Sequence, residues 1–138
     1  MFENTSWGKR RRLSEIVAKD GRALMLAIDH GYFMGATHGM EQPRQAIEKL
    51  LPFVDSLMLS PGILTSCVDP DFGKGIVLRA SRGNSILDKD IDDEELILTA
   101  DQAVKMDASA VAVSVFIGAE HGHQTILNLT NMVRMGAE

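Results

Sequence analysis

The stretch MLAIDHGYFMG, residues 25–35, begins as an apolar run and passes without a break into an acid, an imidazole, a glycine and a phenol. Between Gly21 and Gly31, the run 23–29 (ALMLAID) is apolar up to Asp29, the pattern of a strand covered on both faces. Asp29 directly follows Ala27 and Ile28, and an isolated buried carboxylate is very costly. It must be paired, solvated by a cleft or neutralised.

Working outward, apolar runs alternate with amphipathic ones. Residues 43–53 place Ala46, Ile47, Leu50 and Leu51 at helical spacing, with Pro43 suited to a first turn. SLMLS (56–60) predicts a second strand, stopped by Pro61-Gly62, and GIVLRAS (75–81) a third. Residues 92–106 predict a helix, acidic at its start and with Lys105 near its end, as the helix dipole prefers. AVAVSVFIG (110–118) predicts a fourth strand, and residues 123–138 a last helix with Ile126, Leu129, Met132 and Val133 along one stripe. Alternating strands and helices specify a parallel α/β sheet. No linker or low-complexity segment divides the 138 residues, so one domain is expected.

In a parallel sheet, reactive groups gather at the C-terminal ends of the strands. Here those ends carry Asp29-His30-Gly31, Ser60-Pro61-Gly62, Arg79-Ala80-Ser81 with Arg82-Gly83-Asn84-Ser85 beyond, and Gly118 with Glu120 and His121. The strand starts hold little comparable chemistry. A net charge of −5 argues against a nucleic-acid partner, and the basic run Lys9–Arg12 is too short to reverse that. No apolar run approaches a membrane span, and residues 1–13 lack a signal-peptide core, so neither membrane insertion nor export is expected. The lone Cys67 fits a reducing, cytoplasmic setting.

Several separated motifs in the right order carry a family resemblance: RRLSEIV (11–17), MLAIDHGYFMG (25–35), SPGIL (60–64), VLRASRGNSIL (77–87) and FIGAEHGHQTI (116–126). Over about residues 11–138 the chain resembles the class I, Schiff-base aldolases of the branch that includes archaeal-type fructose-bisphosphate aldolase. Within that branch it is most similar to thiolase-type members that process phosphorylated autoinducer-2. The resemblance implies an N-terminal helical lead-in (about 1–21) followed by the N-terminal half of a TIM (β/α)8 barrel, since such barrels take ~250 residues. It implies a phosphorylated ketose or diketone as substrate, no cofactor or metal, coenzyme A as co-substrate for a thiolase-type member, and a homo-oligomer. Fructose-bisphosphate aldolase or aminodideoxyheptulosonate synthase chemistry is the alternative within the family. A catalytically inert half-barrel serving only as an assembly component is the alternative outside it.

The family places its Schiff-base lysine on the sixth strand. The six lysines here, Lys9, Lys19, Lys49, Lys74, Lys89 and Lys105, fall in helical or loop stretches or, for Lys74, ahead of strand three. This segment is therefore expected to carry the acid/base half of a site. The catalytic candidates are Asp29, a carboxylate able to shuttle protons beside the amine, and His30, which either moves a proton or caps neighbouring backbone. By strand parity Asp29 points inward with Met25 and Ala27, and His30 outward unless the chain turns at Gly31. The substrate-binding candidates are Ser60, Arg79, Ser81, Asn84 and Ser85. Arg79 faces a carbonyl or phosphate or forms a structural ion pair, while Ser81, Asn84 and Ser85 form a polar wall or an ordinary turn around Gly83. Tyr32 reaches the site mouth or packs. His121 and His123 beside Glu120 lack a third ligand of persuasive spacing, so no metal site is expected.

Overall fold

Four strands lie parallel in the order of the chain in the computed structural model, which describes residues 5–137. The elements are α1 (Trp7–Ile16), β1 (Met25–Ala27), α2 (Gly31–Met34), α3 (Pro43–Leu50), β2 (Ser56–Leu59), α4 (Pro61–Cys67), β3 (Gly75–Arg79), β4 (Ser81–Arg82), β5 (Glu95–Leu96), α5 (Ala100–Lys105), β6 (Ala110–Ala112) and α6 (Gly122–Met135). β1, β2, β3 and β6 form the parallel sheet, with Ala27 beside Met58, Met58 beside Val77 and Val77 beside Ala110. The expected parallel βα repeats are present, and α1 falls within the expected helical lead-in.

Because side chains alternate along a strand, this register sorts the sheet into two faces. Leu26, Ile28, Leu57 and Leu59 pack outward with Ile47, Val54 and Val68, joining β1 and β2 to α3 and α4. Ile76, Leu78 and Ala80 pack outward with Leu98, Ala103, Ala108 and Met132, joining β3 and β6 to α5 and α6. Each fully buried Leu or Ile contributes roughly 1.5–3 kcal/mol, so these two clusters hold the helices to the sheet. The inner face carries Met25, Ala27, Met58, Ala110 and Ala112, all half-buried. In a complete barrel such a face fills the centre.

At the N-terminal ends of the strands, α1 crosses the sheet. The Ser109 hydroxyl donates to Glu15 at 2.6 Å and accepts the Ile76 amide at 3.3 Å, while Arg11 pairs with Glu15 at 2.6 Å. The helix approaches so closely that a Cβ at Gly75 would collide with the Glu15 backbone carbonyl. Glycine is required there for space.

Three segments depart from the sequence reading. The helix expected over 92–106 is confined to Ala100–Lys105, opened by a capping box between Thr99 and Gln102. The acidic residues before it instead extend into β5, which pairs antiparallel with β4. Pro61-Gly62 does not merely stop a strand: Ser60 caps a helix on its far side, its hydroxyl accepting the Ile63 amide at 3.4 Å, and Pro61 takes the first turn. The fourth strand ends at Ala112 rather than 118, because beyond it the Ser114 amide bonds the Ser81 side chain instead of a neighbouring strand. The ends of the expected lead-in and last helix, residues 1–4 and 138, lie outside the described residues.

Gly75→Ala is expected to push α1 off the strand ends and lower stability by about 1–3 kcal/mol, as overpacking against backbone does. Urea denaturation measures it, and an unchanged midpoint would refute the tight crossing.

Candidate active site

The C-terminal strand ends bring two carboxylates and one guanidinium together. Asp29, two residues past β1, and Arg79, the last residue of β3, share the inner face. Arg79 Nε donates to Asp29 Oδ2 at 2.8 Å, and Nη2 approaches the same oxygen at 2.7 Å. The Asp29 side chain is 4% exposed and that of Arg79 14%, so the charges compensate each other largely out of water. Arg79 Nη1 donates to Ser114 Oγ at 2.8 Å, and the guanidinium carbon lies 5.3 Å from the centre of the Tyr32 ring. Pairing and cation–π contact together fix the plane in which Asp29 presents its carboxylate.

The second carboxylate, Glu94, is 1% exposed. The Tyr32 hydroxyl donates to its Oε1 at 2.8 Å and the Ser81 hydroxyl to its Oε2 at 2.5 Å. Burial pushes the Tyr32 phenol above the ordinary tyrosine range; the Ser114 hydroxyl opposes this and Glu94 adds to it. Tyr32 is held protonated.

These groups edge a cleft of about 510 Å³, lined by Asp29, Tyr32, Ser60, Arg79, Ser81 and Arg82 among others. That size suits a small ligand. A larger groove of about 940 Å³ opens at the opposite ends of the strands, beneath α1, with Lys74 and Lys105 along it. It contains none of the strand-end chemistry, and position on the sheet outweighs volume in a βα fold.

Of the sequence-predicted residues, Asp29, Ser60, Arg79 and Ser81 line the cleft. Asp29 points inward, as parity requires. His30 does not line it: the chain turns there into α2, the His30 carbonyl accepts the Phe33 and Met34 amides, and its side chain makes no cap. Asn84 and Ser85 lie exposed in the loop between β4 and β5. There the Asn84 amide donates to the Asp90 carbonyl at 3.4 Å and the Ser85 hydroxyl accepts the Leu87 amide at 3.3 Å. Theirs is the turn geometry, away from the cleft. Tyr32 both edges the cleft and packs on Phe33, with ring centres 4.8 Å apart.

His121 turns to Asp92, which accepts its backbone amide at 2.8 Å, while Glu120 and His123 are exposed. Among the described residues no group of three or more His, Cys, Asp or Glu side chains is assembled as for a metal ion. None of the six lysines lines the cleft.

Two residues of the network escaped the sequence reading. Glu94 sat in the acidic run DDEE and passed for the solvated start of a helix. Ser114 carried a signal: a hydroxyl in an apolar run, in phase with the inward Ala110 and Ala112.

The arrangement defines a class: half of a βα barrel whose strand ends hold a buried carboxylate compensated by an arginine. The comparisons agree. The chain belongs to the DeoC/LacD family of aldolases, whose profile matches residues 23–138. It is 43% identical over 131 residues to an uncharacterised aldolase of Pasteurella multocida, covering 94% of this chain and 45% of that protein. With the 3-hydroxy-5-phosphonooxypentane-2,4-dione thiolase of Escherichia coli O139:H28 the identity is 45%, over the same shares of each chain. A Schiff-base-forming fructose-1,6-bisphosphate aldolase superposes with a TM-score of 0.76 at 22% identity, over 91% of this chain and 52% of that one. An archaeal fructose 1,6-bisphosphate aldolase gives 0.74 at 23% identity, over 91% and 51%. The chain thus spans about half the length of the relatives it matches. Among the described residues no helix is long and apolar enough to cross a membrane.

Asp92 supplies a pH test of this end of the sheet. The His121 amide, and more weakly the His121 side chain, hold its carboxyl below the ordinary aspartate value. A lowered folded pKa means stabilisation that is present above the unfolded value of about 3.9 and lost as pH falls through the folded one. Carboxyl NMR should find Asp92 titrating below the free value in the wild type; a titration at the free value would contradict the contact.

Proposed function

We propose that the whole protein is a class I aldolase or thiolase-type enzyme, of which residues 1–138 form the N-terminal half of a single barrel domain. The observation that carries this reading is the buried Asp29–Arg79 pair at the C-terminal strand ends of a DeoC/LacD-family chain. In this reading a lysine beyond residue 138 forms a Schiff base with the carbonyl of a phosphorylated ketose or diketone, and Asp29 handles the protons. Arg79 keeps Asp29 paired and aimed. Ser60 presents a polar group to the substrate from the cleft wall, while Ser81, its hydroxyl engaged by Glu94 and the Ser114 amide, shapes that wall from behind.

Relatives named as thiolases, at 42–45% identity, favour the diketone phosphate over a sugar bisphosphate, with coenzyme A as acceptor of the cleaved acyl group. A cytoplasmic homo-oligomer completes the proposal. His30, Asn84 and Ser85 have the weaker case, His30 because its side chain lies outside the cleft and the other two because they serve a turn.

Borohydride in the presence of a phosphorylated ketone should trap an adduct on a protein that joins this segment to the rest of its barrel. The adduct should map outside residues 1–138. In the same protein Asp29→Asn keeps the shape and removes the charge, so turnover should fall by roughly 10²-fold or more. An adduct on Lys74, or normal turnover of the Asn variant, would place the chemistry elsewhere.

A further inference from the structure

We propose that Glu94 is a positioning residue: its buried carboxylate clamps the Tyr32 ring against the Arg79 guanidinium and thereby holds Arg79 on Asp29. This rests on the reading of Asp29 as the working carboxylate.

Glu94 itself is pinned from three directions. Its backbone carbonyl accepts the Asn128 side-chain amide of α6 at 2.7 Å. Across the ribbon of β4 and β5, Gly83 passes so close that a Cβ there would collide with the Asp93 carbonyl and crowd the Glu94 side chain. The Ser81 hydroxyl donates to Oε2 at 2.5 Å while accepting the Ser114 amide at 3.1 Å. Sheet, ribbon and α6 thus converge on one side chain.

Tyr32, by contrast, sits on little. α2 is a single turn of four residues with none buried, too short to be stable alone. Its ties to the rest of the fold include a backbone bond from Ile86 to Phe33 at 3.0 Å and the phenol bond to Glu94 at 2.8 Å. The phenol also meets the Ser114 hydroxyl, but Glu94 is the acceptor that takes its hydrogen bond and draws the ring toward the ribbon. With it in place the ring meets the guanidinium at 5.3 Å, on a cation whose remaining donors serve Asp29 and Ser114.

A carboxylate suits the task where an amide would not, because two hydroxyls donate into it, one to each oxygen. Glutamine offers one acceptor oxygen and must turn its NH₂ toward one of the two hydroxyls, so it cannot accept from both. Both hydrogen-bond partners of the carboxylate are hydroxyls, so Glu94 holds side chains in place rather than forming an ion pair.

The test needs no substrate, so its failure is separable from failure of the aldolase reading. Tyr32 is the only tyrosine in the chain, and its ionisation can be followed alone by phenolate absorbance. The wild type should titrate above the ordinary tyrosine range, and Glu94→Gln should bring the midpoint down toward it. NMR exchange of the Arg79 Nε–H should quicken roughly tenfold in Glu94→Gln. Should that variant fail to fold, Tyr32→Phe keeps the ring and removes only the hydroxyl, and the same quickening is expected. An ordinary wild-type Tyr32 midpoint, or Arg79 exchange unchanged in folded Tyr32→Phe, would overturn the proposal.

Discussion

The ion pair between Asp29 and Arg79 is the constraint around which this end of the molecule is arranged. A carboxylate that is 4% exposed is costly to bury without a partner, and a guanidinium at the end of a covered strand needs acceptors for its donors. Sheet register solves both needs at once. Parallel pairing sets Ala27, Met58 and Val77 side by side, so the residues two further along β1 and β3 meet on the inner face. Ser114, reached from β6, takes the remaining contact. The outward Leu and Ile clusters supply the stability, and the inward face holds the charges. Alternation along each strand keeps the two apart.

Polar groups at the cleft are layered by how firmly they are held. Glu94 and Ser81 are buried and tied to the sheet, the ribbon and α6. Arg79 and Asp29 rest on them through Tyr32 and Ser114. Ser60 and Arg82 line the rim and are free to meet a ligand without disturbing the pair. The inner face beside them, with its two methionines and three alanines half-buried, has the composition that a barrel centre requires.

Much of this arrangement is legible in the sequence. Asp29 announced itself as a carboxylate at the end of an apolar run, and strand parity put it on the inner face. Arg79 and Ser81 followed from the rule about strand ends. What stayed hidden has physical reasons. Short-range pattern cannot show that DDEEL folds back as a ribbon, because its partner Ser81–Arg82 lies more than ten residues earlier and the acidic run mimics a helix start. Burial of Glu94 is likewise a tertiary fact. Pro61-Gly62 was ambiguous because the same pair ends strands and opens helices; the Ser60 cap decides between them. His30 stands where the chain turns into α2, so strand parity no longer sets its direction.

A double-mutant cycle on stability tests the central claim most directly. Asp29→Asn, Arg79→Gln and the double variant would be compared by urea denaturation. Each single change leaves its partner uncompensated, so the double variant should lose less than the two singles combined, with a coupling of about 1 kcal/mol or more. Additivity within about 0.5 kcal/mol would show that the two side chains do not depend on each other.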